Sequence, residues 1–209
     1  MFFKRKDSWG RLPVTGLVLT IASLVWLAAV TAGLVTLWRY AGTPGPAATA
    51  ANWPTTSRLR RDELRPTLVM FVHPQCPCSR ASVGELALLM THTQQRVTTH
   101  VVVYRPSSAA PGWEHTDLWR SAEAIPSVHV MSDEEGALAT AFGASVSGQT
   151  MLFDTDGQLI FSGGITGARG HSGDNEGRSA VVSLLTNIAA AAPRTPVFGC
   201  FLRESPPPQ

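Results

Sequence analysis

The stretch FVHPQCPCSR, residues 71–80, decides the fold of this chain. It overlaps an apolar and β-branched run, residues 67–72, that predicts a buried strand. Apolar residues then recur at helical spacing, which predicts a helix over residues 79–95. Cys76 and Cys78 therefore lie on a turn between a strand and a helix.

The start of a helix is a favourable place for reactive cysteines. Unpaired backbone N–H groups and the positive end of the helix dipole favour a thiolate over a thiol there. Pro77 fits this interpretation, because proline at a first helical position loses no hydrogen bond. The pair is either redox-active, or a clamp for a soft metal such as Cu(I), or two buried inert thiols. A Cys76–Cys78 disulfide would need an opened helical turn, and strained disulfides are easily reduced, which favours redox work over a permanent bridge.

Four motifs together carry a family resemblance. They are HPQCPCSR at 73–80, FDTDG at 153–157, SGGITGARGHSGDN at 162–175 and VFGC at 197–200. Over roughly residues 60–202 the chain resembles the thioredoxin-like superfamily, and within it the membrane-anchored TlpA-type thiol–disulfide oxidoreductases and the bacterial RedB-type proteins. The resemblance implies an α/β thioredoxin-like fold, with a central mixed sheet flanked by helices, and thiol–disulfide chemistry.

The cysteine motif departs from the family pattern. Thioredoxin-like enzymes carry Cys-x-x-Cys, in which the second cysteine resolves the mixed disulfide. Alignment on the flanking strand and helix places Cys76 at the first cysteine and Ser79 at the second, so Cys78 falls one residue early.

The loop before the next long strand departs as well. Families of this type have a cis-proline there, facing the cysteines, whereas this chain has Gly148 at or near that position. Gln149 and Thr150 follow it and are expected to face the cysteines, where a polar residue admits a ligand or metal that proline excludes. That expectation depends on the fold analogy.

The third cysteine, Cys200, lies in an apolar segment, residues 197–201, that is flanked by prolines. Such a segment is not expected to stay in solvent, so we predict that it folds back and brings Cys200 to the Cys-Pro-Cys turn. Cys200 then pairs with Cys76 or Cys78, which requires Cα atoms within about 7 Å. The alternatives are a third metal ligand and a buried free thiol.

Polar residues around these motifs are candidates for shaping the site. His73 either tunes a thiolate or binds a metal, or else caps the end of the strand. Ser79 either donates to the Cys76 sulfur or bonds only backbone groups at the helix start. The glycine-rich stretch 163–175, which carries Arg169 and His171, either borders the site or is a surface loop. The candidate residues are Cys76 and Cys78 as catalytic, Cys200 as resolving, and His73, Pro77, Ser79, Gln149, Thr150, Arg169 and His171 as site-shaping.

An uncharged apolar stretch, residues 14–38, precedes the domain. It exceeds the ~20 residues that cross a bilayer. Four basic residues precede it and Arg39 alone follows before Arg58, which places the N-terminus in the cytoplasm and the domain outside it. A cleaved signal peptide, cut near residues 48–50, is the alternative, although its apolar region is usually about 7–15 residues long.

These observations divide the chain into five segments. They are a basic cytoplasmic tail (1–12), a transmembrane anchor (13–39), a linker rich in Pro, Ala and Thr that acts as a semi-extended spacer (40–60), the thioredoxin-like domain (61–202) and a Pro-rich tail (203–209). The expected location is the bacterial inner membrane, crossed once, with the domain in the periplasm.

Within the domain, strands alternate with helices before a final hairpin and helix. Strands are expected at 67–72, 97–104, 127–131, 150–153 and 158–162, and helices at 79–95, 113–124, 133–142 and 178–192. Asp133 or Ser132 is expected to cap the third helix, with Glu135 in a capping box.

The expected function is that of a membrane-tethered extracytoplasmic thiol–disulfide oxidoreductase. Cys76 attacks a disulfide of a partner protein, and Cys78 or Cys200 resolves the mixed disulfide, with no cofactor. The alternatives are a Cu(I) carrier that uses Cys76, Cys78 and His73, and a peroxiredoxin-like thiol reductase. The partner is a protein thiol or disulfide; a net charge of +2 with no arginine-rich stripe argues against nucleic acid.

Overall fold

The computed structural model describes residues 14–93, 95–186 and 193–203. The chain divides into two compact units, Met1–Tyr40 and Ala41–Gln209.

The first unit is dominated by a long apolar helix. Helix α1 spans Val14–Gly42 and contains no buried residue. The hydroxyls of Thr20, Thr31 and Thr36 donate to carbonyl oxygens four residues earlier, so the helix satisfies its own polar side chains. Its length and composition suffice to cross a membrane, a property that a signal sequence shares. The basic residues of the expected cytoplasmic tail lie outside the described residues.

The described residues of the second unit form one five-stranded mixed sheet. The strands are β1 (Thr67–Val72), β2 (Thr98–Arg105), β3 (Val128–Glu134), β4 (Gln149–Phe153) and β5 (Leu159–Gly163). Their order is β3-β2-β1-β4-β5; β1, β2 and β3 are parallel, whereas β4 runs antiparallel to both β1 and β5. Every residue of the central strand β1 is buried, as its β-branched and apolar run predicts.

Helices cover both faces of the sheet. They are α2 (Pro77–Thr93), α3 (Asp117–Glu123), α4 (Ala137–Ala141) and α5 (Glu176–Thr186). Residues of α2, α3 and α5 share one apolar core with β1 and β2, while α4 belongs to a second core on the opposite face. This layered α/β arrangement confirms the expected fold class.

Several element boundaries differ from the expected ones. Helix α3 begins at Asp117, because residues 111–114 form turns. Strand β3 continues to Glu134, because its last residues still pair with the end of β2. Residues 187–192 of the expected last helix lie outside the described residues.

The capping prediction for α4 is half right. The helix begins at Ala137, and the Asp133 carboxylate accepts the N–H groups of residues 138 and 139 at 2.8 and 2.9 Å. Glu135 makes no capping box: it has a φ of 55°, and its carboxylate accepts the N–H of Ser107 instead. Asp133, the second-last residue of β3, therefore caps the helix from outside it.

Part of the expected spacer packs on the domain. The Gly45 N–H donates to the Val197 carbonyl at 2.8 Å. The Trp53 ring lies 5.0 Å from Phe142 and 5.2 Å from Phe153, ring centre to ring centre, in edge-on contacts. A free spacer makes no such contacts, so residues 45–59 belong structurally to the domain.

Candidate active site

The Cys-Pro-Cys turn connects the central strand to α2. Cys76 directly precedes Pro77, the first helical residue, and its carbonyl accepts the Ser79 N–H at 3.1 Å. Cys76 is 4% exposed, and Cys78, inside the first helical turn, is half-buried. The sequence therefore places Cys76 correctly at the N-terminus of a helix, where the dipole favours a thiolate.

Cys200 meets Cys76 at this turn. The two sulfur atoms are 3.1 Å apart, which confirms the predicted approach of the C-terminal segment. Residues 194–202, called the tail strap below, reach this place without forming a helix or an extended strand. The Ser147 N–H donates to the Cys200 carbonyl at 2.8 Å, and an isolated antiparallel bridge joins Val146 to Phe201.

Apolar burial and one arginine hold the tail strap in place. Val197, Phe198 and Leu202 are 2%, 9% and 2% exposed. The Arg169 guanidinium donates to the Gly199 carbonyl. A β-carbon at Gly199 would overlap the carbonyl oxygen of residue 147, so glycine permits the close approach that brings Cys200 in.

Two serines connect the turn to the loop before β4. The Ser147 hydroxyl accepts the backbone N–H of His73 at 2.7 Å and lies 2.5 Å from the Ser79 hydroxyl. Hydrogen bonding by the Ser79 hydroxyl and N–H also lowers the pKa of Cys76. This supports the first of the two roles expected for Ser79, which is to donate a hydrogen bond to the Cys76 sulfur. Sequence reasoning does not select Ser147; a hydroxyl residue directly before the unusual glycine is the signal that marks it.

The arrangement concentrates negative charge on Cys76. Burial raises the pKa of Cys76, but hydrogen bonds from Cys200 and Ser79 outweigh it, so the pKa falls below that of an ordinary thiol. Burial, followed by the hydrogen bond and charge of Cys76, raises the pKa of Cys200 to about 12. Burial and the Cys76 charge also raise the pKa of Cys78. One of the three cysteines is thus set apart as the thiolate.

Gly148 occupies a conformation that excludes proline. Its φ is +90°, and its N–H donates to the Phe71 carbonyl at 2.7 Å. Proline fixes φ near −65° and has no N–H, so it fits neither requirement. The described residues contain no cis peptide bond, and the departure noted in the sequence is therefore built into this backbone.

The side chains of Gln149 and Thr150 make hydrogen bonds within and beside the sheet. Both residues are fully buried. The Gln149 amide donates to the Ser162 hydroxyl at 3.1 Å, and the Thr150 hydroxyl donates to the Gly148 carbonyl at 3.2 Å. Their expected role facing the cysteines therefore stays a prediction, and Ser147 makes the contacts to the turn.

His73 belongs to an aromatic cluster beside the turn. Its ring stacks on Tyr104 at 5.6 Å and meets Trp113 edge-on at 5.7 Å. Its Nδ1 accepts the Gln75 N–H at 3.2 Å, and burial lowers its pKa, which favours the neutral imidazole. These residues and Phe201 line a groove of about 760 Å³.

Arg169 and His171 have different positions in the glycine-rich loop. Arg169 is half-buried and holds the tail strap at Gly199; its charge lowers the pKa of both Cys78 and Cys200, against the larger effects that raise them. His171 is exposed, and its N–H donates within the loop to Ala168. The structure thus brings Arg169 to the cysteines, whereas the role expected for His171 stays a prediction.

A buried carboxylate fixes the end of that loop. Glu85 of α2 is 1% exposed and accepts the Gly173 N–H at 2.8 Å, the Asn175 amide at 3.2 Å and the Arg178 guanidinium. Sequence reasoning missed this residue; an acid within the apolar face of α2, directly before Leu86, is the signal that could have found it. Because a buried charge must be paired, Glu85 ties the loop to the helix that begins at the active-site turn.

Copper binding by Cys76, Cys78 and His73 stays a prediction. Across residues 14–93, 95–186 and 193–203, no group of three or more His, Cys, Asp or Glu side chains is placed to hold a metal ion. The Nδ1 atom of His73 already accepts a hydrogen bond. The sulfurs of Cys76 and Cys200 are in contact, at 3.1 Å.

Comparison with known proteins finds likeness in structure. No protein-family model matches the sequence, and no curated protein matches it significantly. A hypothetical protein of Sinorhizobium meliloti 1021 superimposes with a TM-score of 0.57 at 18% identity, covering 76% of this chain and 97% of that one. An uncharacterized conserved protein of Geobacillus kaustophilus gives 0.57 at 20% identity, covering 79% and 93%. A secreted disulfide oxidoreductase of Mycobacterium tuberculosis, homologous to E. coli DsbE, gives 0.44 at 12% identity, covering 59% and 82%.

The first two likenesses concern the fold, since their sequence identities are low. They extend over nearly the whole of both related chains. In this chain the strand order β3-β2-β1-β4-β5, the antiparallel β4 and β5, and the helices on both faces form the arrangement expected of a thioredoxin-like domain. The second unit of this protein has a thioredoxin-like fold.

Proposed function

We propose that this protein is a membrane-tethered, extracytoplasmic thiol–disulfide oxidoreductase of the TlpA or RedB type, with Cys76 and Cys200 as its redox pair. The observation that carries the proposal is the 3.1 Å separation of the two sulfur atoms at the start of a helix. Two thiols in contact interconvert with a disulfide by loss of two electrons and two protons. The protein then exchanges this disulfide with a partner thiol.

The geometry favours Cys200 over Cys78 as the partner of Cys76. A disulfide bond is about 2.05 Å long, so the sulfurs of Cys76 and Cys200 need to approach by only about 1 Å. Cys78 lies inside the first turn of α2, where a bond to the preceding cysteine would distort the helix. Of the two resolving cysteines that the sequence suggests, the structure supports Cys200.

The electrostatics of the site suit rapid exchange. The depressed pKa of Cys76 makes it a good leaving group when the internal disulfide is attacked. Stabilising the thiolate also stabilises the dithiol form, which makes the disulfide more oxidising. The partner is a protein thiol or disulfide on the same side of the membrane, and the chemistry needs no bound cofactor.

A redox titration tests this proposal. The full chain in detergent is equilibrated with glutathione buffers of graded potential, and its free thiols are counted. We expect two of the three thiols to be lost together in a two-electron transition. Cys78→Ser should keep that transition, whereas Cys76→Ser and Cys200→Ser should each abolish it.

The copper alternative is tested on the same material. Protein purified anaerobically is analysed for copper before titration. A stoichiometric content of Cu(I), combined with three thiols that never form a disulfide, would contradict the oxidoreductase proposal and favour a copper carrier.

The tethered topology makes a separate prediction. Because basic residues are concentrated before α1, residues 41–209 should lie outside the cytoplasm. Alkaline phosphatase, which requires oxidised cysteines, should therefore be active when it is fused after residue 60. An inactive fusion would overturn the topology. Retention of α1 in the mature protein, measured by intact mass, distinguishes an anchor from a cleaved signal.

A further inference from the structure

We infer that Cys200 is the sulfur that forms the mixed disulfide with the partner protein, while Cys76 is the buried thiolate that leaves. This inference rests on the proposed function. It reverses the roles that the order of the cysteines in the sequence suggests, in which Cys76 meets the partner.

The two sulfurs differ in their access to solvent. Cys76 is 4% exposed, whereas Cys200 is half-buried. Uncovering Cys76 from the side of Cys200 would detach the tail strap. That movement would expose Val197 and Phe198 and break the hydrogen bond from the Ser147 N–H to the Cys200 carbonyl. A partner that reacts at Cys200 needs none of these changes.

The other approach to Cys76 is narrow. A crevice of about 100 Å³ reaches it, lined by Pro74, Gln75, Cys76, Pro77, Arg80 and Leu118. Arg80 is held at the rim by an ion pair with Asp117. The crevice is too small for a polypeptide segment to enter. The larger groove of about 760 Å³ borders both Phe201, the residue after Cys200, and Gln75, the residue before Cys76.

The contacts of the two sulfurs match this division of roles. The Cys76 sulfur receives hydrogen bonds from Cys200 and Ser79, which stabilise the negative charge that a leaving thiolate acquires. The thiol form of Cys200 is favoured, since burial and the neighbouring Cys76 charge raise its pKa. In a disulfide between unlike thiols, attack on the sulfur of higher pKa expels the better leaving group.

In the proposed reaction, the partner dithiol reduces the internal disulfide in two steps. A thiolate of the partner dithiol attacks the Cys200 sulfur, the bond between Cys76 and Cys200 breaks, and Cys76 leaves as a thiolate. The second partner thiolate attacks the partner sulfur of the mixed disulfide, and Cys200 leaves and takes up a proton. The partner loses two electrons and gains a disulfide, while the protein gains two electrons and becomes a dithiol.

Trapping the first intermediate tests the inference. The full chain in detergent is oxidised, and the Cys76–Cys200 disulfide is verified by peptide mass spectrometry. Reduced glutathione is then added, and samples are acid-quenched early in the reaction, alkylated with a maleimide and digested. We expect glutathione on Cys200 and maleimide on Cys76 in most molecules that carry one of each. Glutathione mainly on Cys76 would overturn the inference and leave the proposed function intact.

The third thiol requires its own control. Cys78 could accept glutathione from either sulfur after the first step and obscure the result, so the trapping is repeated in Cys78→Ser. We expect the adduct again on Cys200, and an adduct on Cys76 in this variant also overturns the inference. A wild-type chain that forms no Cys76–Cys200 disulfide contradicts the proposed function itself, and the two failures are thereby distinguishable.

Discussion

The two segments that supply the redox pair are held by different means. The turn that bears Cys76 joins β1, which is buried along its whole length, to α2, which packs into the same core. The tail strap that bears Cys200 has no helix or extended strand of its own. Backbone hydrogen bonds to residues 145–147 and 162–164 and a few buried apolar side chains hold it.

This difference separates the reactivity of the site from its assembly. The position of Cys76 follows from the fold, so changes near the turn should alter the chemistry of its sulfur. The position of Cys200 follows from the docking of the tail strap, so changes there should alter how readily the pair forms. The predictions below test this separation, beginning with the largest expected effect.

Removing the thiolate should abolish exchange. Cys76→Ser leaves Cys200 and Cys78 without the one sulfur whose pKa is depressed, so oxidation of a reduced peptide dithiol by the protein should fall to background. The full chain in detergent is assayed with the peptide by mass spectrometry. Cys78→Ser is the matched variant and should lose less than about tenfold in rate, which corresponds to about 1.4 kcal/mol in barrier height. Full activity of Cys76→Ser would contradict the assignment of Cys76 as the thiolate that exchange requires.

Two phenylalanines flank Cys200 and differ in burial. Phe198 is 9% exposed and Phe201 is 54% exposed. Phe198→Ala should destabilise the docked strap by about 3 kcal/mol, the lower end for a buried phenylalanine. Phe201→Ala should cost much less, because its ring is already largely in water.

Thermal unfolding of each variant, together with the rate of Cys76–Cys200 disulfide formation, measures these effects. We expect Phe198→Ala to slow disulfide formation and leave the pKa of Cys76 in the fully docked molecules unchanged. Equal effects of the two substitutions would show that burial of the strap does not control assembly of the pair.

Gly199 tests the close approach of the strap to the loop before β4. Gly199→Ala places a methyl group against the carbonyl oxygen of residue 147, and such overpacking should cost about 1–3 kcal/mol and slow disulfide formation. Gly84→Ala, in the middle of α2 with nothing within 4 Å of the new methyl group, is the control. It should stabilise the protein by about 0.5–1 kcal/mol, since alanine is the better helix former. A neutral Gly199→Ala would indicate that the strap docks differently.

The smallest expected effect comes from a substitution at the Cys-Pro-Cys turn, Ser79→Ala. Ser79→Ala removes a hydrogen bond to the Cys76 sulfur, so the pKa of Cys76 should rise toward that of an ordinary thiol. The depressed pKa stabilises the folded dithiol form above the ordinary thiol pKa, and this contribution is lost as the pH falls through the folded pKa. The variant should therefore show a weaker rise in stability with pH.

Thiolate absorbance in the ultraviolet, followed against pH, measures the effect of Ser79. The matched variant is Ser121→Ala, whose hydroxyl donates within α3 to the Asp117 carbonyl at 2.8 Å, away from the cysteines. Ser121→Ala should leave the thiolate titration of Cys76 where it is. An unchanged titration in Ser79→Ala would place the control of reactivity elsewhere than at this hydroxyl.

The difference between the Cys76 turn and the tail strap also bears on which features of the site the sequence could predict. The run 67–72 and the helical spacing after it specify β1 and α2, and with them the location of Cys76, because local pattern and burial agree there. The approach of Cys200 was also predictable, since an apolar segment between prolines must be covered. In these parts of the site, the pattern of apolar residues alone determines where each segment lies.

The other features of the fold and the site depend on contacts between residues that are distant in the sequence, and no local pattern encodes such contacts. Ser147 reaches the turn because Gly148 adopts a positive φ and directs the backbone there. Glu85 anchors a loop nearly ninety residues later along the chain. Residues 45–59 suggest a spacer by composition but pack on the domain, because Trp53 finds the edges of two phenylalanines. In each case the partner becomes apparent only when the chain is folded.

The pairing of Cys76 with Cys200 is the central claim, and disulfide mapping tests it most directly. The full chain in detergent is oxidised under mild conditions, alkylated at acidic pH to prevent exchange, digested and analysed by mass spectrometry without reduction. The account predicts one cross-linked peptide that joins Cys76 to Cys200, with Cys78 alkylated. A Cys76–Cys78 disulfide with Cys200 alkylated, or three alkylated thiols, would contradict it.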